Sequence, residues 1–233
     1  MRKVIMILGI ACLSVSTIAQ SSSENGNRLG LRGNKYLSGG FVGFGFIQDV
    51  FGFYEVAGGN STNLDIGRMH RYQFKPRFAL IGTVQYSYYN YKLHDAASEM
   101  SFNYHVLEYA HIDGKISKQA FRSHNISTSA GYRFYLVKPK RNDNNSGLFA
   151  DVSLQGDWAF SRYYRLNHKD GSKIKRRDKD LFNPFSTSYI ARIGWNRFSI
   201  YARYRVTDAF NSNHLFFDVP PLTIGVQFLS LNF

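Results

Sequence analysis

Three groups of residues in this chain could do chemistry, and each suggests a different kind. In IARIGWNRFSIYARYRV, residues 190 to 206, Arg192, Arg203 and Arg205 fill the gaps between apolar and aromatic residues on either side of Asn196-Arg197. Arg133 occupies a similar gap between Asn125 and Leu136, and Asp151 and Asp157 do so between Leu148 and Ser161. Charges that share one parity of neighbouring extended segments meet in pairs, and an enclosed charge without a partner is costly. One ion-pair network joining Arg133, Asp151, Asp157, Arg192, Arg203 and Arg205 is therefore expected, with a role in holding the chain together and none in catalysis. Its positive surplus calls for further acids such as Asp65.

The second group is the stretch HDAASEMSFNYHVLEYAHIDGK, residues 94 to 115, which contains His94, Glu99, His105, Glu108, His111 and Asp113. Residues three apart share a helical face, and imidazole with carboxylate suits zinc. His105, Glu108 and His111 have that spacing, yet it matches no strong metal motif, and solvated loop histidines are the simpler account. The third group is NHKDGSKIKRRDKD, residues 167 to 180, where Lys169, Lys173, Lys175, Arg176, Arg177 and Lys179 concentrate. Such a cluster could capture an anion or neutralise headgroup phosphates, or it could simply be solvated. His124, Ser161 and Glu108 supply the inventory of a hydrolytic triad. A triad is a matter of geometry, and the sequence has no nucleophile elbow, paired-carboxylate spacing or phosphate-binding glycine loop. No catalytic residue, cofactor or metal is expected.

These residues need elements to position them, and the chain has a period of two throughout. Phe78, Leu80, Val84, Tyr86 and Tyr88 alternate with Thr83, Gln85 and Ser87. Further along, Ile126, Thr128, Ala130, Tyr132, Phe134 and Leu136 alternate with Asn125, Ser127, Ser129, Gly131 and Arg133. Segments rich in Tyr, Phe, Ile, Val and Thr with that alternation are strands. Eight are predicted, at residues 36–47, 61–74, 78–92, 120–137, 147–164, 184–195, 198–210 and 219–232. Short connections at Pro76, 138–146 and Asn196-Arg197 alternate with long ones at 48–60, 93–119, 165–183 and 211–218. Short turns at one end and long loops at the other describe an eight-stranded, antiparallel, up-and-down transmembrane β-barrel with a filled polar lumen. A soluble barrel of eight strands would place its apolar parity inside. Tyr88, Tyr89, Tyr91, Trp158, Tyr163, Tyr164 and Trp195 fall near strand ends and suggest aromatic girdles at the two interfaces.

At the start of the chain, Arg2 and Lys3 precede an apolar run from Val4 to Leu13, and small residues lead to Thr17-Ile18-Ala19. That pattern reads as a signal peptide over residues 1–19, followed by a periplasmic segment over 20–35 and an outer-membrane barrel over 36–233. Cys12 is the one cysteine, so cleavage after Ala19 would leave a chain with no thiol chemistry. A lipoprotein with Cys12 lipidated is the rival reading. Losing Arg2 and Lys3 would lower the formal charge from +13 to +11. A basic exported protein meets anionic lipid and acidic glycan, and nucleic acid is not an expected partner.

The C-terminal stretches NRFSIYARYRVTDAF and VPPLTIGVQFLSLNF resemble the last two strands of the outer-membrane β-barrel family of Bacteroidetes labelled PorT-like or OmpA-like. The resemblance is strong over about the last 50 residues and loose over the whole barrel. It implies an outer-membrane protein that acts as a structural or surface-binding component through its extracellular loops, accessory to an envelope or secretion assembly. It also implies insertion by barrel-assembly machinery, since the terminal Phe233 is similar to the signal that machinery reads. The expected partners are outer-membrane lipid, lipopolysaccharide and an envelope protein, with the barrel itself a monomer. One irregularity stands out: Leu222, Ile224, Val226 and Phe228 share one parity, while Leu229, Leu231 and Phe233 share the other. A bulge near Phe228, or final residues leaving the sheet, would account for it. A lipid-modifying enzyme, a deacylase or acyltransferase of lipid A, is the alternative function.

Overall fold

The computed structural model describes residues 36–48, 61–92, 116–137, 147–168, 171–177, 183–209 and 218–231. The strands are β1 (Tyr36–Gln48), β2 (Thr62–Lys75), β3 (Phe78–Lys92), β4 (Ile116–Tyr135), β5 (Leu148–His168), β6 (Lys173–Arg176), β7 (Phe185–Trp195), β8 (Phe198–Arg205) and β9 (Leu222–Leu231). Each barrel strand pairs antiparallel with its neighbours, β9 with β1, and the β4–β5 pairing closes the ring of eight. β6 lies outside that ring; among the described residues it pairs with the end of β5 alone.

Register sets the geometry of the closure. Ser38 lies opposite His70, and the row continues through Gly82, Ala130, Leu154, Tyr189, Tyr204 and Leu222 to Gln48. One circuit therefore advances from Ser38 to Gln48 on the same strand, and a stagger of that size tilts the strands by about 40°.

Alternation along each strand then assigns every side chain to a side. Val42, Phe44, Phe46, Val84, Val152, Ile193, Ile200 and Val226 face outward and are exposed. Asp65, Gln85, Ser127, Arg133, Asp151, Gln155, Arg192 and Arg203 face inward and are buried. Such inverted polarity suits a hydrocarbon surround, where a closed ring also leaves no backbone group unpaired. The chain is a transmembrane barrel of the outer-membrane type. No helix among the described residues is long and apolar enough to cross a membrane, which has no bearing on strands.

Two inward glycines, Gly45 on β1 and Gly225 on β9, make room in the lumen. A Cβ on Gly45 would come within 2.5 Å of the Tyr201 hydroxyl, and one on Gly225 within 2.7 Å of that ring. At the β7–β8 hairpin, Asn196 takes a φ of 54°, the left-handed conformation Asn tolerates in tight turns. Its Oδ1 accepts a hydrogen bond from the Gly147 amide at 3.3 Å.

Two sequence expectations are corrected here. Residues 116–119 and 165–176, read as parts of long loops, contain strand: β4 begins at Ile116, β5 runs to His168 and β6 follows. Polar and basic residues hid these extensions because both faces of that sheet lie beyond the lipid and need no apolar parity. As far as Leu231 the parity change in the last strand needs neither a bulge nor a departure from the sheet, and Phe233 lies outside the described residues. Pairing of β9 with β1 runs unbroken from Gln48↔Leu222 to Gly39↔Leu231, and Leu229 lies opposite the buried Phe41 on the lumenal parity.

Candidate functional site: a plugged lumen and a basic rim

The lumenal ion pairs form three separate groups, and cross-strand register explains the division. Asp151 has Arg133 beside it on β4 and Arg192 beside it on β7. Arg133 donates to Asp151 Oδ2 at 2.7 Å, and Arg192 lies 3.8 Å from Oδ1. Arg203 reaches across the lumen to Asp65 at 2.6 Å, and it also donates to the Tyr89 hydroxyl. Arg205 pairs with Asp218 at 2.8 Å and donates to Tyr91 at 3.2 Å. Asp157 takes no ion pair, because its direct neighbours are Ser127 and Ser186. It accepts hydrogen bonds from Gln155 at 2.7 Å and Ser186 at 3.4 Å. Of the six residues expected in one network, five make ion pairs in three groups, with Asp65 and Asp218 as the added acids. Sequence reasoning missed Asp218, which precedes β9 where no periodicity marks its direction.

The turn end of the lumen is stopped by Ala79, Tyr135 and Phe149, all buried. The Arg133 guanidinium lies 3.6 Å from the centre of the Phe149 ring, and Arg71 donates to the Tyr135 hydroxyl. A small cavity of about 50 Å³ remains near the opposite end, bordered by Tyr89, Tyr91, Ser123, Asn125, Asp157 and Arg205. Tyr89, Tyr91 and Tyr164, expected in the aromatic girdles, are buried on the lumenal parity, with Tyr89 and Tyr91 spent on Arg203 and Arg205. The outward ring at the loop end consists of Tyr86, Tyr88, His124, Trp158, Phe160 and Tyr163, with Tyr88 and His124 centred 5.1 Å apart.

Above that ring rises a three-stranded sheet made from the ends of β4 and β5 together with β6. Lys118 lies opposite Asn167, which lies opposite Lys173; Ala120 lies opposite Arg165, which lies opposite Lys175. Arg122 lies opposite Tyr163 on the same parity as outward His124. Lys118, Arg122, Arg165, Lys173 and Lys175 therefore share one face, directed away from the lumen axis. Arg122 donates to Asn90 at 2.8 Å, Arg165 to Asn167 at 3.2 Å, and Lys175 lies 4.0 Å from the centre of the Tyr163 ring. Among the described residues no carboxylate pairs with any of these five cations. On the reverse face Phe121 packs on Tyr164 at 5.0 Å, and burial raises the Tyr164 phenol pKa above its ordinary value, while Arg162 and Arg176 occupy register positions of that same parity.

Of the basic loop predicted from sequence, Lys173, Lys175 and Arg177 are exposed here and Arg176 lies on β6, while Lys169 and Lys179 fall outside the described residues. Sequence reasoning missed Lys118, Arg122 and Arg165, which are far apart in the chain and lie level only through register. His105, Glu108 and His111 also fall outside the described residues. His124 and Ser161 do lie opposite each other on the outward face, but His124 Nδ1 is hydrogen-bonded to the Tyr86 hydroxyl, and Glu108 is not among the described residues.

No family model matches the chain, and no curated protein does either. The likeness to the PorT-like or OmpA-like group therefore extends only to the class of outer-membrane barrels. Among solved structures the chain is similar to Ail, the attachment invasion locus protein of Yersinia pestis, at 17% identity and a TM-score of 0.34, covering 85% of this chain and 96% of that one. The same protein in complex with the heparin analogue sucrose octasulfate is similar at 15% identity and a TM-score of 0.31, covering 83% and 93%. Scores this low leave the assignment of fold to the strand register and the polarity of the two faces.

Proposed function

We propose that this protein is a surface-binding outer-membrane barrel whose basic rim sheet holds the phosphates of anionic glycolipid headgroups, lipopolysaccharide foremost. One observation carries the reading. Lys118, Arg122, Arg165, Lys173 and Lys175 converge on one outward face, with no acid paired to them among the described residues, just above the aromatic ring that marks the lipid interface. Basic side chains near anionic headgroups contribute about 1 kcal/mol each, so five acting together would hold a phosphorylated headgroup against exchange. The plugged lumen gives the barrel the role of a rigid stand for this sheet.

Native mass spectrometry of the detergent-folded barrel tests this directly, with lipid A in its phosphorylated and dephosphorylated forms. Retention of the phosphorylated form at least tenfold above the dephosphorylated one is expected, together with loss of that preference in the double variant Lys173→Glu, Lys175→Glu. Equal retention of both lipids, or a preference untouched by charge reversal, would remove the proposal.

A further inference from the structure

Arg68 faces the lipid. It lies on the outward parity of β2, between Ile66 and His70, opposite Gly40 of β1 and Val84 of β3, and it is exposed. The outward positions of that strand are Thr62, Leu64, Ile66, Arg68, His70, Tyr72 and Phe74, so Arg68 is the middle one. At about 3.4 Å per residue and a tilt of about 40°, it stands roughly 16 Å from Phe74 at the turn and as far from Thr62 at the other end.

Among the described residues, no other Lys, Arg, Asp or Glu occupies an outward position between the two ends of the apolar band. No hydrogen bond or ion pair joins Arg68 to another described residue, although every charged arginine of the lumen has an acid or a hydroxyl beside it. Hydrocarbon supplies no acceptor at this depth. Two further features surround it. Gly40 and Gly82 also face outward, and a Cβ on either would meet nothing nearer than 3.9 Å and 3.6 Å, so packing within the barrel does not require glycine there. Bare glycine in a strand marks a place where something approaches closely. Ser38, opposite His70, has a buried Oγ with no hydrogen-bond partner.

We infer that the outward face of β1 to β3 docks a second membrane-embedded protein, which presents a carboxylate to Arg68 and fits a side chain over Gly40 and Gly82. A second copy of this chain is the wrong occupant for a two-fold contact, since that symmetry brings Arg68 towards Arg68. Acyl chains are wrong because they carry no charge to match it. An acidic partner supplies the missing acceptor and uses the bare glycine surface for close packing.

Photo-crosslinking residues at Val42 and Val84, which flank Arg68, test this in the source cell's outer membrane, with Ile193 on the far side as control. Adducts with a different protein are expected at positions 42 and 84 and not at 193. Their crosslinked peptide should contain Asp or Glu within a membrane-spanning segment, and their yield should fall at least fivefold with Arg68→Glu or with Gly40→Leu. The shift in gel mobility on boiling confirms that each variant still folds. Adducts only with phospholipid or with the chain itself, no adduct at all, equal yield at 193, or full yield in both variants would overturn the inference.

Discussion

Arg203 shows how much one lumenal side chain is asked to do. It joins Asp65 on the opposite wall, the Tyr89 hydroxyl and Asn63 Oδ1, tying β8 to β2 and β3 across the barrel. Removing one member of a buried pair costs more than the pair contributes, because the survivor keeps its charge in a poor solvent for it. Asp65→Asn is thus expected to destabilise the folded barrel by about 3–5 kcal/mol. Adding Arg203→Met to Asp65→Asn should recover a large part of that loss, since the stranded cation is gone. Urea unfolding in phospholipid vesicles, followed by the fluorescence of Trp158 and Trp195, measures both; a double variant no more stable than the single one would show that Arg203 acts through its hydroxyl and amide partners. The alternating arginines were legible in the sequence as lumenal residues. Asp151 and Asp65 were legible as acids of the same lumen, but which acid meets which arginine was not, because Asp65 and Arg203 are brought together by the curvature of the wall and not by neighbouring strands.

At the level of strands, β2 and the β5–β6 extension break the pattern in opposite ways. β2 places a charge in the apolar band, and for the barrel alone that is a cost. Arginine on the lipid face near mid-depth is worse than a neutral residue by about 2–4 kcal/mol, less towards the interfaces. Arg68→Leu should therefore raise the stability of the purified barrel in vesicles by about 1–3 kcal/mol, measured by the same unfolding curve. No change would mean that the guanidinium escapes to the interface. Along this stretch of β2, Met69 and Arg71 lie inside and Arg68 and His70 outside. The extension does the reverse: it is strand without apolar alternation, and only its pairing reveals it. Raising salt should weaken retention of phosphorylated lipid A by the rim sheet, since exposed charges act over about 10 Å at 0.1 M ionic strength. Retention that survives 1 M salt would instead point to acyl-chain contacts.

For the whole molecule, under the proposed function the barrel, with its plugged turn end and rim sheet, is a holder rather than a passage. The purified chain in planar bilayers should show no stepwise conductance. Truncating the plug with Tyr135→Ala and Phe149→Ala should destabilise the barrel by about 3–5 kcal/mol per site and admit small ion steps where the natural chain has none. Steps of equal size from both chains would place the conducting route elsewhere.

The sequence by itself determined that the chain is a barrel with apolar outside and charge within, because an alternation of two along long strands admits only two faces and, within the apolar band, every charged residue but Arg68 occupies one of them. It also located the tight turn at Asn196 and the basic segment around Lys173. Tertiary structure alone decided which charges pair, that Tyr89 and Tyr91 serve the lumen, and that Lys118, Arg122 and Arg165 join Lys173 and Lys175 on one face. The physical reason is that periodicity reports the side on which a residue lies, whereas depth and neighbours depend on register, and the stagger from Ser38 to Gln48 is set only when the ring closes.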